Sequence, residues 1–270
     1  MEEVCAMTLS QTVDQPAQAA PWPTRRISQS DMSWALSEGW KDFNAKRGDL
    51  LVLALLYPLL GFLAAALVFN DTLIPLIFPL IAGISILGPA VASGFYEIAR
   101  RREAGQESSW RHFFDPLRGR SRWPLAVLTS GLVMLFFAWM VVAGLIYLAT
   151  LGAEHPVGLG GFVRRLFTTP RGWVMIVLGN LAGLGFAVAT LTVSVVSFPM
   201  VVDKPAVDPV TAVETSVRAV RENPGVLAAW GLRIAGLLVL GALPAFLGLA
   251  VVLPVLGYAT WHLYTRLVER

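Results

Sequence analysis

Residues 124–151 read PLAVLTSGLVMLFFAWMVVAGLIYLATL, a stretch without a charged side chain. About 20 apolar helical residues span the hydrocarbon core of a bilayer, so this stretch is long enough to cross it. Backbone N–H and C=O groups find no water partners there, which predicts an α-helix. The whole chain is similar in character, with 56% hydrophobic residues, 14% charged residues and a mean hydropathy of +0.64. Because a soluble domain carries about 25% charged residues, the composition indicates an integral membrane protein.

Other parts of the chain repeat this pattern. Three more uncharged runs occur, at 51–69, 73–95 and 173–202. The apolar run 226–263 is longer than one crossing requires, and Gly241-Ala242-Leu243-Pro244 interrupts it. It is therefore predicted to form two spans, 226–243 and 246–266. The expected fold is an all-α membrane protein with six transmembrane helices arranged as three hairpins.

The distribution of Lys and Arg predicts the orientation of the spans, since cytoplasmic loops are enriched in these residues. With the N-terminus in the cytoplasm, seventeen of the 21 Lys and Arg residues fall on the cytoplasmic side and three on the other. Those three lie in segment 151–172, and the remaining one, Arg233, lies inside a span. Both termini are therefore predicted to be cytoplasmic. The polar, proline-containing residues 1–30 are expected to be a disordered cytoplasmic tail ahead of the membrane domain 31–270.

Each predicted hairpin is preceded by an amphipathic segment on the cytoplasmic side. These segments are 33–49, 108–118 and 210–225. In the first of them, helical spacing places Leu36, Trp40 and Phe43 on one face. Such helices are expected to lie in the membrane interface. The chain is therefore interpreted as three copies of an interfacial helix followed by two spans, at 31–102, 108–202 and 210–270.

Four groups of residues together carry a resemblance to a known family. They are Glu38–Phe43 (EGWKDF), Leu87–Arg101 with LGPA and GFYE, Ser197–Asp203 (SFPMVVD) with Asn223-Pro224-Gly225, and Leu253–Tyr264 (LPVLGYATWHLY). Over about 33–270 the chain resembles the bacterial predicted integral membrane proteins of domain-of-unknown-function family 2189 (DUF2189). One position departs from the family pattern, in which a histidine follows the glycine that matches Gly257, whereas this chain has Tyr258. The resemblance implies a bacterial inner-membrane protein and no established activity.

Four polar residues in or near the spans are candidate ligand-binding residues. Arg233 is the one formal charge well inside a predicted span, where it either reaches back to the head groups or binds an anionic ligand. Glu97 and His262 end two spans and align when Pro89 is matched to Pro254, which would allow a proton relay between them. Asn180 lies among glycines and is expected to hydrogen-bond across a helix contact.

Several kinds of chemistry lack the residues that they require. The chain has three histidines, His112, His155 and His262, and the first two are predicted on opposite membrane faces. A haem–copper centre therefore cannot be assembled, and no metal or other cofactor is expected. No nucleophile elbow, phosphate-binding loop or dinucleotide fingerprint is present. The sequence thus predicts no enzyme, and no basic block with interleaved aromatics indicates a nucleic-acid partner.

Two functional interpretations remain after these exclusions. The first is a non-enzymatic membrane-embedded binding or accessory protein, with anionic lipid, a membrane protein partner or a second copy of the chain as its partner. The second is a small transporter or channel whose pathway lies between the repeated hairpins. Broken helices in repeated halves are typical of transporters. The scarcity of polar residues within the spans, Arg233 and Asn180 apart, favours the first interpretation.

Overall fold

The computed structural model describes residues 20–45, 75–152, 158–244 and 246–270. Within these ranges the regular secondary structure is helical. The helices are α1 Gln29–Ala45, α2 Ile77–Ile84, α3 Gly88–Glu103, α4 Asp115–Arg118, α5 Arg122–Thr150, α6 Gly158–Thr168, α7 Pro170–Ser194, α8 Ser197–Asp203, α9 Pro209–Glu222, α10 Pro224–Ala242 and α11 Leu249–Leu267. Short 3₁₀ turns, Ser85–Leu87 and Trp110–Phe114, precede α3 and α4. The predicted span 51–69 lies outside the described residues.

Four helical stretches of the described chain are long and apolar enough to cross a membrane. They are Phe78–Glu103, Arg122–Thr150, Pro170–Asp203 and Pro224–Ala242. The last three coincide within three residues with the predicted spans 124–151, 173–202 and 226–243. The first overlaps the predicted span 73–95 but extends eight residues beyond its end. The all-helical membrane class is thus confirmed. The stretch predicted as the last span, 246–266, forms helix α11, which is not one of the four.

The predicted break between the last two apolar stretches is confirmed, and two glycines make it possible. Helix α10 ends at Ala242 and α11 begins at Leu249. A Cβ atom on Gly248 would lie 2.8 Å from the Cα atom of Gly241, so a side chain at this position would collide with the backbone of the preceding helix. Phe246 takes a positive φ of 65°, a conformation that non-glycine residues rarely adopt.

The C-terminal half of α11 lies at the centre of the protein rather than in contact with lipid. The large side chains that are fully buried there are Tyr258, Trp261, Leu263, Tyr264 and Leu267. Helix α1 crosses this half at close range, because a Cβ atom on Gly39 would lie 2.7 Å from the backbone nitrogen of Ala259. On another side, a Cβ atom on Gly257 would lie 2.8 Å from that of Phe95 on α3. The three helices form the core that positions the charged groups described below.

The junction between α7 and α8 is completed by a hydroxyl group from α9. Ser216 Oγ accepts a hydrogen bond from Val196 N at 3.2 Å and donates one to Thr192 O at 2.7 Å. The break in the helix leaves these backbone groups without intrahelical partners, and a buried unpaired group is costly. The buried Ser216 therefore makes the bend between α7 and α8 compatible with the core.

Residues 21–28, the N-terminal strap, run in extended form across α9 and the end of α11. Thr24 forms an isolated antiparallel bridge with Val268, and Arg25 N donates to Leu267 O at 2.8 Å. Asn223, which is 4% exposed, accepts from Ile27 N at 2.8 Å and donates to Arg25 O at 3.0 Å. The sequence analysis expected a disordered tail through residue 30. The composition of this segment does not predict the strap, because the residues that hold the strap in place lie about 200 positions away in the sequence.

Candidate functional site

A group of charged and aromatic residues joins α1, α3 and α11. Asp42 on α1 is 7% exposed, and its carboxylate lies 2.8 Å from His262 Nε2 on α11 and 3.0 Å from Arg102 Nε on α3. The Trp34 ring meets His262 edge-on, and Arg266 lies over the same ring at 4.1 Å from its centroid. We call these five residues the Asp42 cluster.

Glu97 has a different set of partners, although matching Pro89 to Pro254 in the sequence aligns Glu97 with His262. It is 5% exposed and accepts hydrogen bonds from Arg100 and from Arg101, at 2.7 and 2.8 Å to Oε1. Arg101 also binds Asp115 at 2.8 Å. In the described part of the chain Glu97 and His262 thus belong to separate networks, and no hydrogen bond joins them. The structure gives no support to a direct proton relay between these two side chains.

A third network involves residues that the sequence analysis did not select. Arg270 binds Glu103 at 2.6 Å and Asp203 at 3.2 Å. Tyr264 donates its hydroxyl proton to Asp203 at 2.9 Å, and Trp261 Nε1 donates to Glu103 at 3.1 Å. The acidic partners hold the pKa of Arg270 above its usual value even though burial opposes the charged form. The sequence feature that could have indicated this network is the pair Trp261 and Tyr264 in the C-terminal motif. A buried Tyr or Trp usually needs a polar partner.

Arg233 differs from the other charged groups because its inner nitrogen has no partner. Its Nη1 atom is buried and makes no hydrogen bond within the described residues, and the same is true of Nε1 of Trp230. Trp230 is fully buried, and Arg233 follows it by three positions on α10. Residues three apart lie on the same face of a helix. Two unsatisfied N–H donors therefore lie on one face of a predicted span.

Asn180 occupies the outer face of α7. Its amide nitrogen donates to Ile176 O on its own helix at 2.7 Å, and the side chain is exposed. The interhelical hydrogen bond expected for it is not formed among the described residues. Of the glycines around it, Gly183 faces the Trp139 ring of α5, from which a Cβ atom would lie 3.4 Å, and Gly179 faces open space. Asn180 is therefore not part of any of the three charged networks.

In the described ranges, no three His, Cys, Asp or Glu side chains are grouped closely enough to hold a metal ion. Residues 77–203 match the family of predicted integral membrane proteins DUF2189. The chain is thus similar to this family over slightly less than half of its length. The match contains α2 to α8, and with them Glu97, Asn180 and Asp203, but neither Arg233 nor His262. No curated protein and no solved structure matches the chain.

Proposed function

We propose that this protein is a non-enzymatic, membrane-embedded binding protein whose ligand carries a negative charge and is held by Arg233 and Trp230. The observation that supports the proposal is the pair of buried donors, Arg233 Nη1 and Trp230 Nε1, that lack acceptors within the described residues. A buried donor without a partner costs about 1–3 kcal/mol, and more when it is charged. A ligand that supplies the acceptors would remove this cost.

The chemistry of the two donors indicates the class of ligand. A guanidinium group binds phosphate and carboxylate oxygens well, and an indole N–H adds one neutral donor. The surroundings are apolar, since Leu227 on the same helix is fully buried and Leu232 is exposed on the outer surface. An anionic group attached to an apolar body fits this environment. A phospholipid head group and a free amphiphilic metabolite share that chemistry.

The proposed topology has six spans in three hairpins, with both termini in the cytoplasm of a bacterium and the spans in its inner membrane. Its support is the excess of Lys and Arg on one side, seventeen against three. Under this topology Arg233 lies about 14 Å from the start of α10 at Pro224, at 1.5 Å per residue. Impermeant thiol labelling in a Cys5→Ser background tests the orientation. A cysteine replacing Arg120 should react in inside-out vesicles and not in intact cells.

The alternative, a transporter or channel, requires Arg233, Glu97 and His262 to line one pathway. Their partners favour the binding proposal instead. Glu97 is neutralised by Arg100 and Arg101, and His262 is held by Asp42. Of the three, Arg233 alone has a side-chain N–H that is buried without a hydrogen-bond acceptor among the described residues.

Native mass spectrometry of the protein extracted in mild detergent tests the binding proposal. The wild type should retain an anionic lipid or metabolite. Arg233→Leu should bind this ligand at least about tenfold more weakly, as expected for the loss of about 1.4 kcal/mol or more of binding energy. Trp230→Phe should lose a smaller part. Arg120→Leu is the matched control, because it removes the same charge from an exposed turn. Equal retention in Arg233→Leu and Arg120→Leu, or no ligand on the wild type, would overturn the proposal.

A further inference from the structure

Helix α6, between α5 and α7, carries an apolar face that no described residue covers. Leu159, Val163 and Phe167 are 46%, 42% and 54% exposed and lie four residues apart, which places them along one side of the helix. The exposed Arg164 and Thr168 lie beside this stripe, turned from its centre at Val163 by about 100° and 140° around the helix. The sequence analysis did not assign a function to this helix. Its pattern is that of an amphipathic helix with one apolar and one basic face.

The position of α6 is fixed by its junction with α7. Thr169 Oγ1 accepts from Gly172 N at 3.0 Å and donates to Arg165 O at 2.8 Å, which ties the end of one helix to the start of the next. A Cβ atom on Gly172 would overlap the backbone oxygen of Leu166, so the two helices meet without room for a side chain. Helix α7 starts the candidate span Pro170–Asp203. Helix α6 therefore lies where that span reaches the membrane surface.

The apolar face of α6 is continuous with the lipid-facing surface of the span. Phe167 meets Trp173 edge-on at 6.2 Å between ring centroids, and Trp173 Nε1 donates to Phe167 O at 3.1 Å. From Trp173 the exposed apolar surface continues along α7 through Val177, Leu181, Leu184 and Val188. A single occupant, the bilayer, would cover both surfaces. Trp at a span end is typical of the membrane interface.

The basic residues of this end complement an anionic lipid surface. Arg164 and Arg171 are exposed beside the apolar face, and with Arg165 they are the three basic residues of segment 151–172. The positive-inside rule disfavours basic residues on the side opposite the termini. Their concentration next to α6 is explained if they bind phosphate groups of anionic lipid, as basic residues of interfacial helices do.

We propose that α6 is an interfacial anchor in the leaflet opposite the chain termini. It inserts Leu159, Val163 and Phe167 below the head groups and places Arg164 and Arg171 among lipid phosphates. The partner is an anionic lipid surface, and the anchor is independent of the ligand proposed at Arg233. Its effect is to hold the α5–α7 end of the protein at a fixed depth in the bilayer.

Lipid quenching of a fluorescent label tests this proposal. Val163→Cys and Thr168→Cys, each in a Cys5→Ser background, are labelled with bimane and reconstituted in vesicles of phosphatidylcholine with phosphatidylglycerol. Brominated acyl chains should quench the label at 163 at least about twofold more than the label at 168, and aqueous iodide should show the opposite order. Adding Arg164→Gln and Arg171→Gln to the Val163→Cys variant should reduce the acyl-chain quenching and increase the iodide quenching.

Three results would overturn the proposal. Strong iodide quenching at 163 would mean that the apolar face is open to water. Protection of the label at 163 from both quenchers would mean that a protein surface, such as a second copy of the chain, covers it. Equal acyl-chain quenching at 163 and 168 would mean that the helix does not lie with one face in the lipid. Since both substituted residues are exposed, neither cysteine is expected to disturb the fold.

Discussion

His262 Nε2 on the last helix lies 2.8 Å from Asp42 Oδ2 on the first described helix. The two residues are 220 positions apart, and Arg102 from α3 binds the other oxygen of the same carboxylate at 3.0 Å. One buried carboxylate therefore joins α1, α3 and α11. The contact also explains why α1 is held against the core, rather than resting on the membrane surface by its amphipathic face alone.

Removing this carboxylate should destabilise the protein more than removing an exposed one. In Asp42→Ala, His262 and Arg102 lose their common acceptor, and His262 is only 14% exposed. Breaking a buried ion pair costs about 3–5 kcal/mol. We expect about 2–3 kcal/mol here, because Arg102 is 36% exposed and regains water. The measurement is the midpoint of thermal unfolding in detergent, followed by tryptophan fluorescence.

The matched control for Asp42→Ala is Asp115→Ala. Asp115 also binds an arginine, Arg101, but its side chain is 36% exposed. Exposed ion pairs contribute about 0–1 kcal/mol, so this variant should unfold close to the wild-type midpoint. Equal shifts in the two variants would show that Asp42 does not hold the three helices together.

The backbone class of this protein was predictable from sequence, because an apolar run has one stable form in lipid. The run at 124–151 becomes one helix with nearly those bounds, and the run at 173–202 becomes α7 and α8 with a bend between them. The break near Gly241 is found where a glycine and a proline interrupt the pattern. The long-range partners of the polar residues were not predictable. Glu97 and His262 align by their spacing from proline, yet Glu97 binds Arg100 and Arg101 on its own helix, and His262 binds Asp42, which the fold brings from 220 positions away.

Arg233 shows a different limit of sequence analysis. Its position within an apolar run identifies Arg233 as unusual from the sequence alone, without knowledge of the residues that pack around it. Whether a nearby acceptor existed depended on packing, and the structure shows a buried nitrogen without one among the described residues. Trp230 was not selected, because a tryptophan in an apolar helix looks like ordinary core. Only its buried and unpaired N–H distinguishes it.

The close crossing of α1 and α11 depends on the missing side chain of Gly39. A Cβ atom there would lie 2.7 Å from Ala259 N and 2.8 Å from Val255 O, which are backbone atoms that cannot turn aside. Gly39→Ala should therefore lower the unfolding midpoint, by an amount equivalent to about 1–3 kcal/mol. Gly131→Ala on α5 is the control, since a Cβ atom there meets open space. It should be neutral or slightly stabilising, because alanine is the better helix former.

The N-terminal strap should loosen when Asn223 is removed. Its side chain accepts from Ile27 N and donates to Arg25 O and Ala219 O, so Asn223→Ala removes two links to the strap. Hydrogen–deuterium exchange of a peptide covering residues 21–28 should become faster, while exchange in α5 stays unchanged. Arg221→Ala changes an exposed residue of the same turn and serves as the control. Unchanged exchange in Asn223→Ala would show that the bridge between Thr24 and Val268 suffices.

The strap should also respond to acid, because two carboxylates that accept hydrogen bonds from Thr24 and Ser28 have lowered pKa values. Hydrogen bonds from Arg218 and then Thr24 hold the pKa of Glu222 below its ordinary 4.5. Hydrogen bonds from the Ser28 hydroxyl and backbone hold the pKa of Asp31 below its ordinary 3.8. Since both pKa values are depressed in the folded state, the stabilisation is complete above the ordinary values and is lost as pH falls through the lowered ones. The strap should therefore be fully held at pH 6 and should loosen as the pH falls below the ordinary values and through the lowered ones.

Electron paramagnetic resonance measures this release directly. A nitroxide on Ala20→Cys, in a Cys5→Ser background, should show a restricted line shape at pH 6 and a mobile one at the lower pH at which the two carboxylates become protonated. Circular dichroism at the same two pH values checks that the helices remain. In Glu222→Gln the charged acceptor for Thr24 and Arg218 is absent at every pH, so the label should already be more mobile at pH 6. Glu214→Gln changes a carboxylate of the same helix for which no hydrogen bond to described residues is found, and it should follow the wild type. A label equally mobile at both pH values in the wild type would mean that these carboxylates do not secure the strap.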